Sequence, residues 1–121
     1  MLFHTDYLSL ICADVQAEKQ WWIAVFDAKE VKDPGWDDPL PSDIALKLPG
    51  LDEPTILLRD RAQTGCVNPD TRPLLFCSNL KRAEEYFQKR QVTTSPIQEV
   101  GGKQYFTIVD PQGNAIEVCS E

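Results

Sequence analysis

Histidine is nearly absent from this chain of 121 residues, with His4 the one copy. The four cysteines, Cys12, Cys66, Cys77 and Cys119, include no C-x-x-C pair, and His4 sits apart from them. A structural zinc site, which needs a full set of such donors at fixed spacing, is therefore not expected. Bases are also scarce: 12 Lys and Arg against 19 Asp and Glu leave a net charge of −7. Such a surface repels a phosphate backbone, which argues against nucleic acid and anionic membranes as partners. Long apolar runs are missing too. Trp21 to Phe26, the most apolar stretch, falls far short of the roughly 20 residues that a membrane-spanning helix needs. The first residues lack a basic region followed by an apolar one, so no signal peptide is expected. The cysteines are accordingly read as reduced thiols and the protein as cytoplasmic, with Cys12, Cys77 and Cys119 acting as small hydrophobes in strand-like runs.

What is present is ordinary for a folded domain: 42% hydrophobic and 26% charged residues, close to the averages of globular proteins. The length fits one domain over 1–121 with one core. Within it, two segments share a layout, Tyr7 to Phe26 and Arg72 to Gln91, at an offset of 65 positions. Each reads as a strand followed by a helix. In the first, Tyr7 to Ala13 is β-like and Asp14 caps a helix with Val15, Trp22 and Phe26 on one face. In the second, Leu74 to Cys77 is the strand, Asn79 the cap, and Leu80, Ala83 and Phe87 the stripe. The offset aligns Cys12 with Cys77, Asp14 with Asn79, Val15 with Leu80 and Trp22 with Phe87, which points to a duplicated unit. Short β candidates follow each helix, at Ala28 to Val31, Asp43 to Leu48 and Thr55 to Leu58, and at Pro96 to Val100, Gln104 to Val109 and Ala115 to Cys119. The expected organisation is an α+β chain of two β-α-β-β-β modules, about 5–60 and 72–121, joined by a linker at about 61–71. A half of about 60 residues would bury too little surface to stand alone.

Two such units, with Asp110-Pro111-Gln112-Gly113-Asn114-Ala115-Ile116-Glu117 near the end of the second, resemble the vicinal oxygen chelate superfamily, which includes glyoxalase I, bleomycin-resistance proteins and extradiol dioxygenases. Asp-Pro starts a tight turn, Gly113 and Asn114 tolerate positive φ, and the chain re-enters a strand carrying Glu117. The resemblance implies sheets that curl into an open barrel-like pocket with helices outside. It also implies four inward side chains that hold a metal in metal-dependent members. Counted from the capping residues, these positions are Tyr7 and Arg72 on the first strands, Glu117 on the last strand of the second half, and Leu57 or a neighbour in the first. Of the four, Glu117 alone is a usual metal ligand, so no metal and no other cofactor is expected. His4, three residues before Tyr7, is read as a solvated terminal residue.

With Tyr7 and Arg72 at those positions, alternation puts Tyr7, Ser9, Ile11, Arg72, Leu74, Phe76, Ala115, Glu117 and Cys119 on the pocket face. Tyr7, Ser9, Trp36, Arg72, Leu74, Phe76, Glu117 and Cys119 are the candidate ligand-binding residues, and Glu117 the candidate catalytic one. Arg72 and Glu117 are open to two readings, a binding site or a structural ion pair. Trp36 is either a lid over the pocket mouth or an anchor for its loop. Cys119 is read as a packing residue, because a neighbouring carboxylate raises a thiol pKa. Asp37 and Asp38 lack the remaining ligands of a calcium loop and are read as solvated. At most one of Trp21 and Trp22 points into the core, and the other is either a surface aromatic or part of a subunit contact. The expected function is metal-free binding of a small organic molecule by a homodimer. The alternative is a lyase or isomerase with Glu117 as general base and Arg72 or Tyr7 stabilising an anionic intermediate.

Overall fold

A computed structural model describes residues 3–36, 39–65, 68 and 72–121. Asp37, Asp38 and Cys66 lie outside the described residues. The first module runs β2 (Leu8–Cys12), α1 (Val15–Phe26), β3 (Lys29–Val31), β4 (Ile44–Lys47) and β5 (Ile56–Asp60), and the second β6 (Leu74–Cys77), α3 (Leu80–Lys89), β7 (Gln98–Val100), β8 (Lys103–Val109) and β9 (Ala115–Ser120). Both helices start where a short polar side chain satisfies an orphan amide. The Asp14 carboxylate accepts from Ala17 N at 3.0 Å, and the Asn79 carbonyl accepts from Arg82 N at 3.0 Å.

Each module forms a sheet of the same order, β2-β5-β4-β3 and β6-β9-β8-β7. In both, the first and last strands of the module pair in parallel and the others antiparallel. The duplication read from the sequence is therefore a duplication of topology. One face of each sheet is buried, through Leu8, Leu10, Ile56 and Leu58 in the first and Leu75, Cys77, Ile116 and Val118 in the second. These faces and both helices share one core that spans the modules. Phe87 of α3 sits at its centre, with ring centroids 5.6 Å from Phe26 of α1 and 6.0 Å from Phe106 of β8.

Two elements depart from the sequence reading. A short strand, β1 (Phe3–His4), pairs with β6 and adds a fifth strand to the second sheet. Two residues are too few to show alternation; the strand is fixed by the Phe3 ring, which packs 5.3 Å from Phe26 and 5.1 Å from Phe87. His4 is thus anchored rather than solvated, stacked on Phe76 at 5.5 Å with Nδ1 3.0 Å from the Glu121 carboxylate. The segment expected as linker opens with a helical turn, α2 (Arg61–Thr64), capped by Asp60. Trp22 is fully buried, whereas Trp21 packs on the edge of the core at 5.3 Å from Trp22 instead of standing free on the surface.

Side chains also stitch the modules together along the free edge of β2. Asn68 Oδ1 accepts from Ile11 N at 2.8 Å while its Nδ2 donates to Ile11 O at 2.9 Å and to Asn114 Oδ1 at 3.1 Å. The amide thereby takes the place of a neighbouring strand at an otherwise open edge. Gln112, in the turn before β9, accepts from Ala13 N at 2.7 Å and Asp14 N at 3.1 Å. That turn is held by the Asp110 carboxylate, which accepts from Gln112 N, Asn114 N and Asn114 Nδ2. Gly113 supplies its left-handed residue at φ 83°.

No helix is long and apolar enough to cross a membrane among the described residues.

Candidate functional site

Away from the helices, corresponding rows of side chains cross the two sheets. In the first sheet, pairing aligns Ser9, Leu57, Ala45 and Val31, and the next row joins Ile11 to Arg59. In the second, Leu74, Glu117 and Thr107 form one row, and His4, Phe76, Cys119, Tyr105 and Gln98 the next. Leu57 thus occupies in the first module the place of Glu117 in the second.

The rows are covered differently because one connection differs in length. In the first module, the connection from β3 to β4 folds its described residues, 32–36 and 39–43, over the face, leaving Leu57 only 7% exposed. In the second, Gly101-Gly102, both at positive φ, close a two-residue hairpin between β7 and β8. The second face is therefore bare, with Leu74 42% and Val109 39% exposed.

Under the first module's loop lies a hollow of about 300 Å³, lined by Tyr7, Pro34, Trp36, Pro39, Ala45 and Leu57, with Asp43 and Arg59 at its polar end. Those two charges pair with each other, Arg59 Nη2 standing 3.2 Å from Asp43 Oδ2. The Tyr7 and Trp36 rings meet edge to face at 6.2 Å, which makes Trp36 part of the wall and Tyr7 the shared side of a second hollow.

The second hollow, about 460 Å³, lies between the modules and is lined by Tyr7, Ser9, Asn68, Arg72, Asn114 and Ala115 together with backbone neighbours. The structure thus brings Tyr7, Ser9 and Arg72 together, with Trp36 adjoining through Tyr7. It does not bring them to Leu74, Phe76, Glu117 and Cys119, which share the bare face of the second sheet. Arg72 and Glu117 form no ion pair among the described residues. A wider groove of about 850 Å³ runs past the start of α1, but its lysines are spent: Lys19 and Lys32 both bond Glu30, at 3.2 and 2.8 Å. That Glu30 carboxyl is held below its ordinary pKa chiefly by the bond from Lys32.

Burial pushes the thiols of Cys119 and Cys77 up, and the Glu117 carboxylate adds to the effect at Cys119. Cys12 is pushed up to about 12, by burial first and then by Glu18 and Asp110. These thiols stay protonated at neutral pH and are poor nucleophiles.

The sequence reading passed over Glu18. It lies on the buried stripe of α1 with Val15, Trp22, Val25 and Phe26, fully enclosed. Its Oε2 accepts from Trp22 Nε1 at 3.0 Å, and no donor meets Oε1. The carboxyl is raised to about 9, by burial first and then by a hydrogen bond to the Asp110 carboxylate. Glu18 therefore carries its proton at neutral pH, with the Asp110 carboxylate of the other module's turn opposing its ionisation. Its spacing from Val15 and Trp22 was a legible signal of an inward carboxyl.

At the level of sequence, no family model matches the chain, and no curated protein matches it either. Solved structures do. A glyoxalase/bleomycin resistance protein/dioxygenase superfamily member from Sphaerobacter thermophilus superposes with a TM-score of 0.74 at 18% identity, covering 98% of each chain. TnmS3, an antibiotic binding protein from Streptomyces sp., gives 0.70 at 18% identity over 97% of this chain and 94% of its own. Lactoylglutathione lyase from Agrobacterium tumefaciens gives 0.67 at 16% identity over 96% and 92%. The chain has the vicinal oxygen chelate fold.

The residues here do not fit the metal of that fold's metal-dependent members. Leu57 offers no donor, Arg72 is itself a cation, Tyr7 precedes β2 and is 57% exposed, and Glu117 lies on the other face. Among the described residues, no group of three or more His, Cys, Asp or Glu could hold a metal ion.

Proposed function

We propose that the protein binds a small organic molecule without a metal, as a cytoplasmic homodimer. The observation that carries this reading is the hollow between Tyr7 and Trp36. Its walls are aromatic and proline, its floor is aliphatic, and its charges neutralise each other, which is the usual make-up of a small-molecule site. The likeness to TnmS3, described as an antibiotic binding protein, supports a holding role. The protonated thiols of Cys12 and Cys77, free within the core, support a reducing compartment.

Titration with naphthylmethanol tests the binding. Saturable quenching of tryptophan fluorescence at one molecule per chain is expected, lost in Trp36→Phe as an optical signal and weakened about tenfold in Trp36→Ala by the missing ring. Elemental analysis after growth in metal-supplemented medium should find no stoichiometric zinc, nickel or iron. One divalent ion per chain, lost on Glu117→Gln, would overturn the metal-free reading.

The homodimer rests on the bare face of the second sheet. A sheet presenting Leu74, Phe76, Tyr105 and Val109 has an apolar side without a covering layer among the described residues of its own chain. Sedimentation equilibrium at micromolar concentration should give about twice the chain mass, with Leu74→Arg shifting the equilibrium toward monomer. A wild-type monomer that persists at high concentration contradicts it.

A further inference from the structure

The hollow between the modules has a composition at odds with the rest of the chain. In a protein of net charge −7, no Asp or Glu lines it among the described residues, and Arg72 is the one charged side chain among them. Among the described residues, Arg72 meets no carboxylate, although Arg59, Lys19 and Lys32 are all paired. Pro73, which follows Arg72, is fixed by the bond that its carbonyl accepts from Glu117 N at 2.9 Å. The guanidinium is therefore carried on backbone tied to the second sheet. The Asn68 amide donates to Ile11 O and Asn114 Oδ1, and the Asn114 amide donates to the Asp110 carboxylate. The hydroxyls of Tyr7 and Ser9, by contrast, have no protein partner among the described residues. Three donors, one of them cationic, thus face a hollow that has no counter-charge among the described residues.

Desolvating an unpaired guanidinium under a neutral ligand costs free energy, whereas a carboxylate offers it two parallel acceptors and leaves the hydroxyls something to donate to. Tyr7 belongs to both hollows, so one molecule can place an apolar ring against Trp36 and an acid group at Arg72. We infer that the ligand is a planar aromatic carboxylate, its ring against Tyr7 and Trp36 and its carboxylate received by Arg72, Ser9 and the Tyr7 hydroxyl. This rests on the binding role proposed above and adds the charge of the ligand.

The test compares naphthoate with naphthylmethanol, equal in ring and different in charge, at neutral pH on wild type, Arg72→Met and Trp36→Ala. Naphthoate is expected to bind wild type about tenfold more tightly than the alcohol. Arg72→Met should abolish that preference by weakening naphthoate far more than the alcohol, and added salt should narrow it because the site is open to solvent. Arg72 is exposed, so the variant should keep the wild-type melting temperature, and Trp36→Ala should weaken both probes alike. Equal affinity for the two probes, or equal weakening of both by Arg72→Met, overturns the charge assignment while leaving the binding role standing. Failure of both probes to bind wild type removes the binding role as well.

Discussion

Glu18→Gln is expected to flatten the pH dependence of stability and to raise the melting temperature at pH 8. In the folded chain the Glu18 carboxyl is raised to about 9, mainly by burial, whereas in the unfolded chain it titrates near 4.5. Between these values the native state holds a proton that the unfolded state has released, so stability falls as pH rises. The contribution is fully present below the unfolded pKa and is lost by the time pH has passed the folded one. The other charge that acts on Glu18 is Asp110, whose carboxylate raises it further; Asp60 and Arg61 at the start of α2 act with both acids on the neighbouring Cys12. Glutamine keeps the geometry: its carbonyl can accept from Trp22 Nε1 and its amide can donate to Asp110, with nothing to ionise. Relative to wild type, the variant should gain roughly 4 kcal/mol between pH 5 and pH 8, equivalent to about 15 °C in a chain of this size. Urea unfolding of both proteins across that range checks it. Parallel profiles would mean that Glu18 is ionised or solvated in the folded state.

Phe87→Ala should cost about 4 kcal/mol of unfolding free energy. The ring is fully buried and touches Phe3, Tyr86 and Phe26 at 5.1, 5.5 and 5.6 Å as well as Phe106. These partners come from β1, both long helices and the second sheet, so no single element can move inward to close the cavity. Leu74→Ala, at a more exposed position, should cost less than about 1 kcal/mol in the monomer. Chemical denaturation of both variants at low protein concentration separates the two. A small loss at Phe87 would show that the modules do not share one core.

The local elements were readable because their causes are local. The caps at Asp14 and Asn79 lie next to their helices, and strand alternation separates the buried Leu8, Leu10 and Leu75 from Ser9 and Leu74 on the other face. β1 was not readable, since a strand of two residues has no period and owes its place to Phe3 finding Phe26 and Phe87. Alternation was also extended too far. Tyr7 and Arg72 precede β2 and β6, so the parity of those strands does not direct their side chains, and Arg72 faces the hollow between the modules rather than Glu117. Glu18 shows the opposite case, a stripe position whose side-chain type masked a legible spacing.

By itself the sequence determined the duplicated β-α-β-β-β plan, its caps and turns, and the scarcity of metal donors, because each depends on residue type and short spacing. Only the tertiary structure decided which of those residues meet. The pairing of β5 beside β2 and of β9 beside β6, the reach of residues 32–36 and 39–43 over one face and the two-residue hairpin that leaves the other bare set Tyr7, Ser9 and Arg72 around one hollow and Glu117 on another surface. Such contacts join residues far apart in the chain, and the packing that selects them is a property of the whole core.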